Sequence, residues 1–576
     1  MGYKAVYHSA KYHRFEGLPS PAISYSFVSP FHKKPTDMVH SRLFKTFFCL
    51  YLLILCIGQG WSQVRYVHSL ATGTADGSSW TNAHTDLQAA IELALPGDSI
   101  FVAGGTYLPV VRINGDSLRH STFYISKEIS LFGGFSGNAG TEGGFTDRDL
   151  ILYPTVLSGD LGLPGVRTDN AFHVVYLDHV PSGTVIDGVT ISDGDGFGGS
   201  GFEAIGTGVY IDADAGECHP NIIRCTIKDN LTNESGGGIS IQAENGGHAL
   251  PVFTDCEIIG NRGSGGGGVN AYADTEGQAS PTFINCVFKG NAAPTAGGGA
   301  ISNICHSCLS TVKLINCAVS GNYAPSSSAI TGFVTGTGIL ALDFINTAIS
   351  GNGSGSIQLT DIGLRTSTIY IRNSILYGNG GSQAPIANGA TVDAGFSVIP
   401  FGFPGENIIG LDPMFVDQPP VLDTTHTLGD MHLLPGSLAL DAGQDSAVPM
   451  NIKSDLDHLP RFKSSVADEP GTVDIGPYEF QPETTSSGPG IREHEWAVAP
   501  NPASQVITID LGETTNSGIV QLNDLEGRIV KRQNFSTGDQ QIKLDISGLS
   551  EGVYFIQLRM GHEWYSKKLI IAFPHE

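Results

Sequence analysis

CTIKDN (225–230), CEIIGN (256–261), CVFKGN (286–291), CAVSGN (317–322), TAISGN (347–352) and SILYGN (374–379) align without gaps. Their closing asparagines, Asn230, Asn261, Asn291, Asn322, Asn352 and Asn379, fall 31, 30, 31, 30 and 27 positions apart. VTISDG (189–194) is a looser, earlier copy, and GGGISI (236–241), GGGGVN (265–270) and GGGAIS (297–302) recur between the copies. A fixed period of this length marks stacked supersecondary units, each too small to bury its own apolar face.

Alternation within the unit decides the architecture. With the Cys/Thr/Ser position counted as zero, position +2 holds Ile227, Ile258, Phe288, Val319, Ile349 and Leu376. Position −3 holds Ile222, Phe253, Phe283, Leu314, Phe344 and Ile371. Positions zero and +2 share a parity and −3 has the other, so all three reach one core only if the chain bends between them. The bend is predicted at position −1, which reads Arg224, Asp255, Asn285, Asn316, Asn346 and Asn373. Asn and Asp tolerate left-handed backbone better than other side chains. Coils about 4.8 Å apart would stack their amides into hydrogen-bonded ladders. The Asn230–Asn379 column is read as such a ladder rather than a sugar site. Two strands at the bend and one after the glycines make an all-β, three-sheet parallel solenoid. Amphipathic helices are excluded because no 3.6-residue apolar stripe fills the gaps.

These residues resemble the right-handed parallel β-helix family, the pectate-lyase-like fold. YVHSLATGTADGSSWTNAHTDLQAAIELALPGDSIFVAGGTY (66–107) resembles its N-terminal segment of a strand followed by a capping helix. In TDLQAAIELA (85–94), Leu87, Ile91 and Ala94 share a helical face. The β-helix is expected over 64–405. LDPMFVD (411–417), MHLLPGSLALDAG (431–443), SDLDHLPR (454–461) and VDIGPYEF (473–480) resemble a choice-of-anchor segment, placed at 406–480, which could cover the sticky edge of the last coil.

Residues 481–494 have linker composition, and 495–576 alternate apolar and polar with about seven strands, the pattern of a small β-sandwich. This tail resembles the type IX secretion C-terminal sorting domain of Bacteroidota. The resemblance is carried by Pro500-Asn501-Pro502, Gly552-Val553-Tyr554 and Lys567-Lys568-Leu569-Ile570-Ile571. It implies a translocon and a sorting protease as partners, then release or attachment at the outer surface. Residues 38–62, with Arg42 and Lys45 before an apolar run from Phe47 to Ile57, read as a signal peptide, and 1–37 as a mis-called start. No later segment reads as membrane-spanning.

The full chain of 576 residues has 31 Lys and Arg against 56 Asp and Glu, a net charge of −25, which disfavours a nucleic-acid partner. With 75 glycines and only 15% charged residues it suits neither a helical bundle nor a charged disordered polymer.

For chemistry, Asp187, Asp193, Asp195, Asp212 and Asp214 are the densest carboxylates of the stack. Paired carboxylates could serve glycoside hydrolysis, or hold Ca²⁺ for a lyase, but DGVTISDGDG and IDADAG also read as turns. A lyase needs a cationic base or charge stabiliser, and basic residues on the coils are sparse: Arg224, Arg262, Arg365, Arg372, Lys228 and Lys289. Cys225, Cys256, Cys286 and Cys317, continued by Thr347 and Ser374, read as a buried packing column. Cys305-His306-Ser307-Cys308 reads as a loop disulfide or two idle thiols, and Asp455 with Asp457 as a turn rather than a Ca²⁺ site. No catalytic, cofactor or metal residue is assigned. The reading is an exported protein with an adhesive, carbohydrate-binding or structural role, against a polysaccharide lyase or glycoside hydrolase. Carboxylates paired in a groove, or set beside Arg or Lys, would favour the enzyme; aromatics spaced for sugar stacking would favour binding.

Overall fold

The computed structural model describes residues 62–481 and 496–572, apart from 143, 326, 422–428, 466–470, 512–517, 525–528 and 561–562. The mis-called start, the signal segment and the linker lie outside the described residues, save Ser62 and Gln481. The chain divides into two compact units, Met1–Gln481 and Pro482–Glu576.

The first unit is a parallel β-helix. Ile222, Phe253, Phe283, Leu314, Phe344 and Ile371 pair in register from coil to coil. So do Ile227, Ile258, Phe288, Val319, Ile349 and Leu376. A ten-stranded sheet closes the coil, stacking Val175, Val209, Ile239, Val269, Ile301, Ile330 and Ile357. All of these apolar side chains are fully buried, so burial is one continuous column rather than a sphere.

The bend works through backbone conformation. Arg224, Asp255, Asn285, Asn316, Asn346 and Asn373 all have φ between 49 and 54°, a region that costs most L-residues about 1–2 kcal/mol and Asn or Asp less. Glycine at the strand starts answers a different need, close approach of neighbouring coils. A Cβ on Gly267 would lie 2.3 Å from the carbonyl oxygen of Ala292.

At the N-terminal end, helix Leu87–Leu93 covers the stack. The Asp86 side chain accepts from the Ala89 amide, filling one of the orphan donors of the first turn. Leu87, Ile91 and Ala94 are buried. Gln88 treats the sheet edge as a strand would: its amide donates to the Tyr124 carbonyl (3.2 Å) and accepts from the Tyr124 N–H (3.0 Å).

The stack extends to strand Glu406–Ile409, which pairs with Thr391–Val398. The segment beyond it lies along the flank of the later coils, the last included through Val398 and Ile409. Phe415, Met431, Leu433, Ala439 and Ile475 pack on the outward Ala318, Ala348 and Ile375. Val448, Ile452 and Val473 pack on Ile315. Asn316 donates to the Ser454 carbonyl (2.8 Å), and Asn373 exchanges two hydrogen bonds with the backbone of Gln444 (3.1 and 2.7 Å). At the segment's centre, Arg461 has no exposed surface. It donates to the carbonyls of Asp474 and Gly476 and lies 3.7 Å from the Glu479 carboxylate.

The second unit is an antiparallel sandwich. Strands Ala497–Ala499, Val506–Asp510 and Gln541–Asp545 form one sheet, and Ile529–Phe535, Gly518–Asn523, Gly552–Met560 and Glu563–Ile571 the other. Ile507, Ile509 and Leu544 face Val520, Leu522, Ile556 and Leu569 in its core.

Candidate functional site

Chemistry-bearing side chains concentrate on the outward face of the ten-stranded sheet. Because alternate residues point away from the core, pairing lines up Asp178, Asp212, Gln242, Tyr272, Ile304, Phe333 and Thr360, one per coil. The column begins acidic and becomes aromatic.

In its acidic part the aspartates are engaged. Tyr124 and Tyr176 donate to Asp178 and Asp212 respectively, the second at 2.7 Å. Asp212 also accepts from the Asp214 N–H (3.0 Å), and Asp214 from the Asn245 amide (2.7 Å). His179 contacts Asp178 and the Asp214 carbonyl, and its partnership with Asp178 raises its pKa. Glu244 is held above the usual carboxylate range, first by burial and then by repulsion from Asp274, Asp214 and Asp212.

Asp193 and Asp195 sit at another corner, after strand Val189–Ser192. Asp193 has φ 66° and accepts from Ser192 (2.6 Å) and Ser158 (3.0 Å). Asp195 is buried, accepts from the Phe197 N–H (2.8 Å) and lies 3.8 Å from Arg119. Burial raises its pKa. A whole strand, Val209–Asp212, separates this pair from Asp212 and Asp214, and no hydrogen bond or ion pair joins the two pairs among the described residues. Asp187 is clamped by Arg148 (2.8 Å) and Arg224. Arg372 pairs with Asp393 (2.8 Å), and Lys228 lies 3.8 Å from Asp229. Among the described residues, no three His, Cys, Asp or Glu are arranged to hold a metal ion.

The aromatic part of the face was not read from the sequence. The rings of Tyr272 and His306 stand 5.7 Å apart, and those of His306 and Phe333 6.3 Å, all edge to face. Phe333 is 37% exposed. His306 is oriented by a 2.7 Å contact with Thr335. Its strand ends in a turn closed by a Cys305–Cys308 disulfide, both sulfurs buried. The signal lay in parity: each ring occupies an outward position of its strand.

The remaining sequence candidates are structural. Cys225, Cys256, Cys286 and Cys317 are free, buried thiols that donate to backbone carbonyls, and burial raises the pKa of the first three. Thr347 and Ser374 bond to carbonyls likewise. The six asparagines form one column: each Nδ2 donates to the next Oδ1 at 2.8–3.1 Å. Asp455 is buried and accepts from the N–H groups of Asp457, Leu459 and Glu479, whereas Asp457 turns to His432 (2.8 Å). His432 lies between Asp457 and Asp430 (2.6 Å), stacks on Tyr478 at 4.1 Å, and has its pKa raised to about 9 by the two carboxylates. It borders a cavity of about 330 Å³ walled mainly by Leu434, Pro435, Leu459 and Phe480.

In the tail, the motif residues meet across the fold. Asn501 donates to the Lys568 carbonyl and accepts from the Ile570 N–H, both at 2.8 Å, acting as a short extra strand on the last one. The peptide bonds before Pro500 and Pro502 are cis. Lys567 bonds to the Trp496 carbonyl and lies 4.9 Å from its ring. Tyr554 donates to the Ser550 carbonyl (3.0 Å), and Gly552 opens the strand that pairs with Glu563–Ile571.

No curated protein matches the chain. Among solved structures, the pectate lyase Pel9A is 14% identical with a TM-score of 0.38, the match covering 74% of this chain and 98% of that one. The enzymatically active domain of bacteriophage CBA120 tailspike protein 2 is 10% identical with a TM-score of 0.24, covering 84% and 73%. Neither likeness is strong enough to bear on activity. No helix among the described residues is long and apolar enough to cross a membrane. Residues 497–572 match the family described as the secretion system C-terminal sorting domain, which implies export to the cell surface or medium, and the chain is a parallel β-helix protein carrying that tail.

Proposed function

We propose that the exported solenoid is a non-catalytic binding protein for an extended carbohydrate, held along the outward face of its ten-stranded sheet. The observation that carries this is the run of Tyr272, His306 and Phe333 over three successive coils. Ring centroids 5.7 and 6.3 Å apart lie near the spacing of successive sugar rings, and ring faces and edges offer the apolar contact that sugars take from aromatics. Asp274 and Thr360 flank the run with hydrogen-bonding groups on the same face. The enzyme reading is weaker because each Asp–Arg contact on the coils is a closed ion pair, and Asp193 and Asp195 are occupied by turn hydrogen bonds.

The tail directs the protein to the type IX translocon, and a sorting protease removes it before the solenoid is released or attached. The stacked coils of the solenoid supply a long surface suited to an extended ligand.

A glycan array probed with the purified chain tests the binding reading. Phe333→Ala and Tyr272→Ala should each lower retention of the bound glycan at least tenfold, with the melting curve little changed; unaltered retention in both would remove this face. Turnover of a polysaccharide panel, abolished by Asp193→Asn with Asp195→Asn, would instead restore the enzyme. Deletion of 495–576 should leave the protein in the periplasm of a host with this machinery.

A further inference from the structure

One coil turns the corner after the ten-stranded sheet differently from its neighbours. Ala273, Cys305 and Val334 pair across three successive coils. Past the corner, the Leu309 N–H bonds to the Gly277 carbonyl (3.2 Å) and the Ile339 N–H to that of Cys308 (2.9 Å). The flanking coils therefore turn through ADTEG (273–277) and VTGTG (334–338), each ending on glycine, whereas the middle one turns through CHSC (305–308). It uses one residue fewer and no glycine, and it is closed by the Cys305–Cys308 disulfide. Ser307 carries the reversal at φ 57°, a region that Ser tolerates less well than Gly or Asn. The next coil is cut to fit: a Cβ on Gly338 would lie 3.0 Å from the Cys305 sulfur, and one on Gly336 2.1 Å from Ser307 Oγ.

The bond joins residues with a sequence separation of only 3, so it removes little freedom from the unfolded chain. Backbone hydrogen bonds already tie the corner to both neighbours: Thr275 and Glu276 donate to the carbonyls of His306 (2.9 Å) and Ser307 (3.1 Å), and Ser307 to that of Thr335 (3.1 Å). What the disulfide adds is local geometry. His306 lies between the two half-cystines and is the last residue of its strand to pair on both sides, with Asp274 and Thr335. Its imidazole is the middle ring of the aromatic run and contacts Thr335 at 2.7 Å. With the bond open, Ser307 is free to leave the left-handed region, the last rung loosens, and the imidazole leaves the line between Tyr272 and Phe333.

We infer that the Cys305–Cys308 disulfide positions His306 in the ligand face, so that the face holds its glycan only after the pair is oxidised in the exported chain; this rests on the binding reading of that face. Disulfides form in oxidising compartments outside the cytoplasm. There the protein disulfide of a thiol oxidase accepts the two electrons: the Cys305 and Cys308 thiols lose two protons and become the disulfide, and the oxidase disulfide becomes two thiols. Both sulfurs are buried once the coils close, which protects the bond from later exchange. Cys218, Cys225, Cys256, Cys286 and Cys317 are buried and free, so the change is confined to this corner.

The test measures glycan retention by the full chain purified oxidised, by the same chain expressed and kept reduced with dithiothreitol, and by Cys305→Ser with Cys308→Ser. After denaturation the oxidised chain should titrate two fewer thiols than the reduced one; equal counts overturn the proposal. The reduced chain and the double variant should each retain at least tenfold less glycan, with melting curves little changed. His306→Ala should lose as much, and adding Cys305→Ser with Cys308→Ser to it should lose nothing further, because a bond that acts through His306 has no effect without it. Full retention by the reduced chain, by the double variant or by His306→Ala overturns the proposal, as does a further loss in the combined variant. A loss of glycan that comes with collapse of the melting curve in both the reduced chain and the double variant assigns the bond to the fold and also overturns it. If the oxidised chain retains no glycan, or Tyr272→Ala and Phe333→Ala retain it fully, the binding reading itself falls. If those two variants lose the glycan and the reduced chain does not, only the role of the disulfide is excluded.

Discussion

Two columns of amide side chains climb the solenoid, one residue per coil in each, and they are tied off differently. The inner column, Asn230 to Asn379, is buried throughout and bonds only to itself and to adjacent backbone. The outer column at the bend is half-exposed at Asp255 and Asn285 but fully buried at Asn316, Asn346 and Asn373. There the closing segment arrives, and the ladder from Asn346 through Asn316 and Asn285 to Asp255 meets it at a middle rung, where Asn316 donates to the Ser454 carbonyl. The coils are thus held from within by repetition and from outside by a strap that covers only the later ones. The two ties should fail separately.

The strap is the more breakable. Arg461 is buried among Glu479, Asp474 and Asp455, whose carboxyls burial pushes upward, Glu479 to about 9 and Asp474 to about 6. Arg461→Met leaves those groups without their counter-charge, and removing one partner of a buried pair costs about 3–5 kcal/mol. Hydrogen exchange should then rise across 430–480 while the amides at 226–319 keep their protection. Loss of protection in both regions would show that the strap and the coils are one cooperative body.

Cutting the inner tie should do the reverse. Asn291→Leu orphans the buried Asn261 N–H and the Ile258 carbonyl, at about 3 kcal/mol for two unmet groups. Denaturant melts and exchange should place the damage in the coils around 258–322, with residues 455–479 less affected.

The third comparison lies within the outer column. Asn316→Ala and Asn346→Ala both force Ala into left-handed backbone and both lose an amide of the ladder. Only Asn316 also donates to Ser454. Asn316 also accepts from Asn346, so its replacement should be worse by about 2 kcal/mol, two hydrogen bonds. A difference of only about 1 kcal/mol would show that the strap takes nothing from the bend.

How legible was this from the sequence? The coils were, because an inward residue repeats in kind: Phe253, Phe283 and Phe344 can be aligned by eye. The bend was too, since Asn and Asp recur where backbone demands them. The strap's position was not, although a trace of it is there. Position +1 should be polar on a free flank, and it reads Thr226 and Glu257 early but Ala318, Ala348 and Ile375 later. That drift to apolar residues is the footprint of something lying on the coil. The candidate site was hidden for the opposite reason: Tyr272, His306 and Phe333 repeat nothing. Attention went to aspartates, whose density reflects turns as readily as chemistry.

The smallest effect concerns pH and again separates strap from coils. His432 is bridged to Asp457 first and Asp430 second, which raises its pKa to about 9 in the folded chain, against about 6.5 when unfolded. A group whose pKa folding raises stabilises the folded form fully below the unfolded value, and that contribution disappears as pH climbs through the folded one. The strap should therefore be firmest below about pH 6.5 and lose this increment by about pH 9.5. The imidazole is 39% exposed, so solvent screens much of the interaction and the change will be slight. Exchange of the amides at 430–433 and 455–459, corrected for intrinsic rate, should speed up between those pH values in the parent chain and stay flat in His432→Gln. Inner-ladder amides, with no titrating partner beside them, should not respond in either chain. A matching response there, or in His432→Gln, would assign the pH effect to something other than this clamp.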